Sequence, residues 1–184
     1  MQRSFRHLWA LSLVAALALA APAAATSAVL LPREQLVKKS ELVVQATVGR
    51  HVSEWNEERT HILTRTTLQV SSYLKGRGDT ELVVEQLGGT VGDKTMVVSG
   101  DAQLRPDQEV VLFLKRGEGG VVFLTALSQA AYSVSKDGRV QRDLSGISLF
   151  RSVQGKLTPI HRFEEPKETL AHLKADVSRL ARTP

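Results

Sequence analysis

Two histidines and three glutamates in one short stretch are the residues of this sequence whose types could bind a metal ion. His51 and His61 flank a charged loop that contains Glu54, Glu57 and Glu58. Two imidazoles and a carboxylate are suitable zinc ligands, but zinc ligands are usually spaced more closely than these. The sequence also contains no H-E-x-x-H motif. We therefore interpret the two histidines as exposed cross-strand residues, and we expect neither a metal site nor a cofactor.

No combination of residues in the sequence indicates a catalytic nucleophile or an acid–base pair. There is no G-x-S-x-G motif, and Ser145 lies in a D-L-S-G segment that has the character of a turn. Glu164 and Glu165 are adjacent in a charged segment, which is typical of solvated surface rather than of a catalytic cleft. The chain contains no cysteine, so thiolate chemistry is excluded. The sequence predicts a protein that is not an enzyme.

Trp55 is the aromatic residue of the charged loop, residues 53–60. Its ring would either fold back onto the protein as a cap or remain exposed as an anchor for a partner, since tryptophan is favoured at binding hot spots. We expect the capping arrangement in the free protein. As a hypothesis, Trp55 and its neighbours Glu54 and Asn56 form a partner-binding site.

Two long strands are expected to hold this loop between them. Apolar residues alternate with other residues through residues 42–52 and again through residues 61–74. They are Leu42, Val44, Ala46 and Val48 in the first segment, and Ile62, Leu68, Val70 and Leu74 in the second. Because side chains alternate across a strand, this period of two predicts a half-buried antiparallel pair.

Further strands are predicted downstream. They lie in residues 81–87, 109–115 and 121–127, and a hairpin in residues 131–141 turns at Asp137-Gly138. Residues 109–115 are the most apolar segment, so we expect a central strand with Leu112 and Leu114 buried. The glycine-rich segment in residues 88–93 is interpreted as a hairpin connection, because no helix or Gly-Lys-Ser/Thr ending follows to form a phosphate loop.

Helices are predicted near both ends of this β-rich region. A short helix is expected in residues 32–39, with a proline at its first position. A C-terminal amphipathic helix is expected in residues 166–182, where Leu170, Leu173 and Val177 form one apolar stripe. Its polar face mixes both charge signs, which favours packing on the sheet over binding to a membrane.

The N-terminus has the features of a signal peptide in residues 1–25. Arg3 and Arg6 precede an apolar run that is too short to span a bilayer, and Ala23-Ala24-Ala25 offers a cleavage site. We expect a secreted or periplasmic protein with a single domain in residues 26–184 and no stable membrane anchor. The net charge of the full sequence is +5, and Arg3 and Arg6 of the predicted signal peptide contribute two of these charges. The sequence contains no run of basic residues of the kind that binds nucleic acid.

Residues 32–76 resemble the start of the tissue inhibitors of metalloproteinases. The similarity rests on a short helix, the SELVVQATVGRHV strand, a charged loop and LQVSSYLKG. Those inhibitors share an OB-type barrel with the wider netrin-like group. The later segments LGGTVGD and EVVLFLK resemble an uncharacterised group of bacterial exported proteins. The inhibitors chelate the enzyme's zinc through an N-terminal cysteine, and this chain has none.

The resemblance implies a mainly β protein, an OB-like antiparallel barrel with a short N-terminal helix and a C-terminal amphipathic helix. Barrels of this type bind partners through loops at one rim. We expect an exported, non-catalytic module that binds a protein and that modulates a secreted peptidase if the resemblance extends to function. The alternatives are a structural component of an envelope, matrix or coat, and an enzyme whose site the sequence does not reveal.

Overall fold

The computed structural model of the chain describes residues 26–182, and this part of the chain is mainly β. Two α-helices accompany the strands, α1 (Arg33–Lys39) and α2 (Leu170–Leu180). The strands are β1 (Thr26–Val29), β2 (Leu42–Trp55), β3 (Ile62–Lys75), β4 (Glu81–Leu87), β5 (Gly89–Val91), β6 (Lys94–Met96), β7 (Glu109–Arg116), β8 (Val122–Ser128), β9 (Ala131–Val134), β10 (Arg139–Gln141), β11 (Ile147–Val153), β12 (Lys156–Pro159) and β13 (Glu168–Thr169). The predicted signal peptide lies outside the described residues.

The predicted pair of long strands is present, and it is longer than the sequence pattern indicates. β2 continues to Trp55 instead of ending at Val52, so the connecting turn contains only residues 56–61. Trp55 lies opposite Ile62, and the register shifts between Val48 and His51. Such bulges accommodate extra residues in one strand, and they bend and twist the pair locally.

Five strands form a closed ring in the order β2, β3, β4, β8 and β7, after which β7 pairs with β2 again. Neighbours in the ring are antiparallel except β4 and β8, which are parallel and meet at Val84 and Val122. The predicted row of β2 lines this ring, because Leu42, Val44 and Ala46 are buried opposite β7. The main core therefore lies where the sequence periodicity predicted it.

β7 is the central strand, as predicted. Leu112 and Leu114 are fully buried on the face of β7 that also carries the inward row of β2. Val111 and Phe113 are fully buried on the opposite face. The helices cover that second face: Lys174 of α2 donates a hydrogen bond to Gln45, which lies opposite Val111 in the register. Burial on both faces explains the continuous apolar run of this strand.

α1 begins directly after Pro32 and ends at Lys39, and Ser40 is its C-cap residue. These limits are close to the predicted ones. Its buried residues are Leu36 and Val37. The Lys75 ammonium donates hydrogen bonds to the carbonyl groups of Val37 and Ser40 at 2.7 Å each. A cation at the C-terminal end of a helix satisfies carbonyl groups that have no partner within the helix.

α2 is shorter than the predicted segment, residues 166–182. It begins at Leu170, where the Thr169 hydroxyl accepts a hydrogen bond from the backbone N–H of His172. The preceding residues are extended, and β13 pairs with β10 at the edge of the large sheet. Glu168 is held there by Arg33 of α1, with nitrogen–oxygen distances of 2.9 and 2.5 Å. The prediction placed the start too early because it took Pro166 as the first helical residue.

Residues 88–93 were predicted as a connection between two strands, but they contain a strand of their own, because β5 pairs with β6 in a short hairpin that turns at Gly92-Asp93. Gly88 and Gly89 have positive φ angles, 104° and 130°. A Cβ atom at Gly89 would lie 2.2 Å from the Thr64 hydroxyl oxygen and 2.5 Å from that of Ser53. The close approach of this backbone to β2 and β3 therefore requires glycine.

A second sheet of three strands, in the order β1, β11 and β12, was not predicted. β1 and β11 are parallel, and Thr26 lies opposite Ile147. β11 and β12 form a hairpin that turns at Gln154 and Gly155, both with positive φ. Every residue of β12 is exposed, so this strand is a free edge of the small sheet.

Candidate binding cleft

Trp55 is half-buried at the end of β2. Its partner in the register is Ile62, which is 1% exposed. Directly opposed residues of an antiparallel pair place their side chains on the same face. The Trp55 ring therefore lies on the inward-facing side of the strand pair, which favours the capping interpretation over the anchor hypothesis.

Asn56 organises the turn that follows Trp55. Its side-chain oxygen accepts hydrogen bonds from the backbone N–H groups of Thr60 and His61, at 2.8 and 2.9 Å. Its amide nitrogen donates to the Glu58 carboxylate at 2.8 Å and to the Thr60 hydroxyl at 3.0 Å. The Asn56 side chain thus uses both of its polar atoms within the turn, which is the usual structural role of asparagine in such loops.

Glu54 is also engaged within the protein. It forms a salt bridge with Arg65 on the neighbouring strand, and Arg65 forms a second salt bridge with Glu85 at 3.0 Å. The three side chains form a row across β2, β3 and β4 on the outer face of the ring. We call Trp55 and residues 56–61 the Trp55 turn; its role in partner binding stays a prediction.

The two histidines considered as metal ligands do not meet. The register places His51 opposite Thr66, whose hydroxyl lies 2.9 Å from the His51 Nδ1 atom. His61 instead contacts the Thr60 hydroxyl through its own Nδ1 atom at 2.8 Å. Among residues 26–182, no group of three or more His, Asp or Glu side chains is arranged to hold a metal ion.

A surface opening lies where the chain passes from the large sheet to the small one. We call it the binding cleft, an opening of about 640 Å³ between β11 and the segment that follows β12. Its apolar lining residues are Leu144, Ile147, Leu149, Phe150, Pro159, Ile160 and Phe163. Arg142 and Glu165 lie at one side. Apolar walls with a few convergent polar groups, at this volume, are typical of ligand sites in proteins.

Arg142 and Glu165 form the charged side of the cleft. The guanidinium Nε atom lies 3.0 and 3.1 Å from the two carboxylate oxygens, and a terminal nitrogen lies 3.0 Å from one of them. The Arg142 side chain is only 7% exposed, and that of Glu165 is 18% exposed. We call this the Arg142–Glu165 pair; its planar fork geometry fixes both side chains in orientation.

Two aromatic rings lie close to the Arg142 guanidinium. Its central carbon lies 5.1 Å from the centre of the Tyr132 ring and 5.9 Å from that of Phe163. Arg33 approaches the same Tyr132 ring at 5.8 Å. Burial raises the pKa of the Tyr132 hydroxyl, although the two guanidinium groups oppose this shift. The cluster ties β9, the loop after β10 and the segment after β12 to α1.

A smaller opening of about 320 Å³ lies on the other side of the Arg142–Glu165 pair, and the pair lines both openings. Its wall includes Ser128, which is 4% exposed and whose hydroxyl oxygen has no hydrogen-bond partner among the described residues. It also includes Asp143, whose pKa is lowered by hydrogen bonds from the hydroxyl and the backbone N–H of Ser145. The pair is therefore a wall that two surface openings share.

No pattern in the sequence indicated the binding cleft. Glu165 was interpreted as part of a solvated surface segment, and this is wrong because the Arg142 guanidinium largely covers it. The neighbouring Glu164 does fit that interpretation, since it is 76% exposed and pairs with the exposed Arg162. Residues 142–159 carry no regular pattern except the turn at Gly155, so no local signal brings Arg142 to a residue 23 positions away.

No protein-family model matches the chain, and no curated protein or solved structure shows a significant similarity to it. The netrin-like resemblance of residues 32–76 therefore stays a prediction. Among the described residues, no helix has the length and apolar character needed to cross a membrane.

Proposed function

We propose that this protein is an exported, non-catalytic module that binds another protein through the binding cleft. The observation that carries the proposal is the cleft itself, whose apolar wall remains open to solvent beside a rigid charged pair. A concave opening lined by apolar side chains with a few convergent polar groups is the usual form of a binding site. The signal-peptide features of residues 1–25 support export.

The ring of five strands supports the OB-like barrel that the sequence resemblance suggested. OB-type barrels are five-stranded and use their surfaces and loops to bind other molecules. Under this proposal the ring is the scaffold, and the small sheet attached beside it supplies the site. A secreted peptidase is the partner class that the netrin-like resemblance suggests, and its activity would be modulated by binding.

Capture from the exported fraction of the source cells tests the proposal. The bait is the mature protein, and the matched variants are Ser148→Trp and Ser152→Trp. Both serines are exposed on β11, but only Ser148 lines the cleft. Tryptophan at position 148 should fill the opening, whereas tryptophan at 152 leaves it open. We expect one stoichiometric protein with the wild type and Ser152→Trp, and little with Ser148→Trp.

The same experiment separates the alternatives. If the captured protein is a peptidase, its rate on a peptide substrate should change when the mature protein is added. Equal capture by all three baits would move the site away from the cleft. Failure to capture any soluble partner would contradict the proposed function.

A structural role in an envelope, matrix or coat is the second candidate. The observation that favours it is the exposed β12, an unprotected sheet edge on which a further strand could pair. Recovery of the protein in insoluble material of many copies, with no soluble partner, would support this candidate over the binding module.

A further inference from the structure

The binding cleft opens at a place where two neighbouring chain segments separate. β12 pairs with β11 from Val153 back to Phe150, and a last hydrogen bond joins the Ile160 N–H to the Leu149 carbonyl at 2.8 Å. Beyond this point the chain leaves β11, and within residues 26–182 no strand pairs with that side of β11 at Ile147 and Ser148, although the Ile147 N–H donates to the Leu144 carbonyl at 3.2 Å. The other side of β11 is still paired there with β1. The cleft is thus a wedge in an otherwise continuous sheet.

The opposite wall of the wedge also has free backbone groups. No backbone N–H or C=O group of residues 161–167 forms a hydrogen bond to another backbone group within the described residues. Phe163 and Glu165 are half-buried, whereas Arg162 and Glu164 are exposed, so the side chains alternate as they do in a strand. Unpaired strand edges are templates for the addition of another strand.

The charges around the wedge are not balanced. Two of the three acidic residues of this region are ion-paired, Glu165 with Arg142 and Glu164 with Arg162, whereas Asp143 accepts hydrogen bonds only from Ser145 among the described residues. The basic residues that flank it in the sequence have no ion-pair partner among the described residues. They are Arg151, Lys156 and Lys167. Residues 142–167, which build the wedge and its surroundings, carry five basic and three acidic side chains, and this excess of positive charge favours acidic partners.

We propose that the cleft binds an extended, acidic segment of the partner protein, which adds as a strand between β11 and residues 161–165 and places apolar side chains against Leu149, Ile160 and Phe163. This inference rests on the proposed function and specifies how the partner is recognised. In strand addition, main-chain hydrogen bonds supply affinity and pockets for alternate side chains supply specificity. The wedge offers both, and its free cations select against basic segments.

A displayed library of random twelve-residue peptides tests the proposal directly. The library is selected on the mature protein and then measured against the wild type, Ser148→Trp and Ser152→Trp. We expect the enriched peptides to alternate apolar residues with aspartate or glutamate. Their affinity should fall at least tenfold for Ser148→Trp and stay unchanged for Ser152→Trp. It should also fall with rising salt concentration, because the flanking cations are exposed.

Two further measurements examine the binding mode. Methylation of alternate backbone nitrogens in a selected peptide should weaken binding at least tenfold at positions of one parity and little at the other, as strand pairing requires. Lys156→Glu combined with Lys167→Glu should reduce the affinity for acidic peptides and leave the thermal melt unchanged. Selection of no peptide, of peptides without acidic residues, or of peptides that bind Ser148→Trp normally would overturn the proposal.

These results are distinguishable from failure of the proposed function. If an intact partner is captured by the wild type and lost with Ser148→Trp, while the selected peptides show no acidic or alternating pattern, the function stands and the strand-addition mode is wrong. If no partner is captured from the exported fraction, the function fails independently of the peptide result.

Discussion

The Trp55 turn and the binding cleft are both charged surface regions, and they differ in how their polar groups are satisfied. In the turn, Asn56 binds two backbone N–H groups and two side chains. At the cleft, the buried Arg142 is paired with Glu165, but the backbone of residues 161–167 forms no hydrogen bond to other backbone groups in the described part of the chain. The turn is closed by its own residues, whereas the cleft is open to a partner.

The difference shows that charged sequence does not by itself distinguish a binding surface from a stable loop. Both regions contain adjacent glutamates, at positions 57–58 and 164–165. In the turn the polar side chains satisfy one another locally. At the cleft, Glu165 is paired with the buried Arg142, whose guanidinium also lies 5.9 Å from the centre of the Phe163 ring. Four substitutions test this comparison.

The largest effect should come from the core that supports both regions. Leu112 and Leu114 of β7 are fully buried inside the ring. Leu112→Ala should lower the free energy of unfolding by about 2–5 kcal/mol, because it removes buried methyl groups and leaves a cavity. A thermal or urea melt checks this value, with Leu157→Ala on the exposed β12 as the control. Equal melts for both variants would mean that β7 is not the centre of the core.

The second effect concerns the charged side of the cleft. Arg142→Met leaves the Glu165 carboxylate without its partner and should destabilise the protein by about 3 kcal/mol, the lower end for breaking a buried ion pair. The control is Arg162→Met, which removes the exposed pair of Arg162 with Glu164, the residue before Glu165. This variant should leave the melt nearly unchanged. If both variants behave alike in urea melts, the Arg142–Glu165 pair has no special structural role.

The sequence predicts a region well when the residues that form it are close together in the sequence, and poorly when they are far apart. The β2–β3 pair was predicted within three residues at each end, because alternation over a dozen residues is a strong local signal. The register shift between Val48 and His51 was not predicted, because a bulge depends on contacts with the neighbouring strands. Thr169 as the cap of α2 was missed, because the competing signal of Pro166 also marks a helix start.

The cleft could not be predicted for a related reason. It depends on the parallel pairing of β1 with β11, in which Thr26 lies opposite Ile147, and no local pattern specifies a contact across such a sequence distance. It also depends on the point where the chain leaves β11 after Ile160. The Trp55 turn, by contrast, is formed by residues within six positions of one another, so its place between the two long strands was predicted, although β2 extends to Trp55 and the turn is shorter than the predicted loop of residues 53–60.

The third effect concerns the hypothesis that Trp55 is a partner anchor. Because its ring is half-buried opposite Ile62, Trp55→Ala should cost about 2 kcal/mol of stability, which is less than for a fully buried tryptophan. Affinity for the captured partner, measured below the melting temperature, should stay unchanged. The control is Glu57→Ala in the same turn. A normal melt combined with a loss of about 2 kcal/mol in binding would instead identify Trp55 as a hot spot.

The smallest effect should come from Asn56, whose role we interpret as structural. Asn56→Ala removes the acceptor of the Thr60 and His61 N–H groups, both of which are exposed and can bind water instead. The expected loss is therefore only about 1 kcal/mol, the usual net value for solvent-accessible hydrogen bonds. Asn56→Asp keeps the acceptor oxygen and loses the donor to Glu58, so its melt should lie between those of the wild type and Asn56→Ala. If partner binding weakens in Asn56→Ala but not in Ser148→Trp, the Trp55 turn, and not the cleft, is the binding surface.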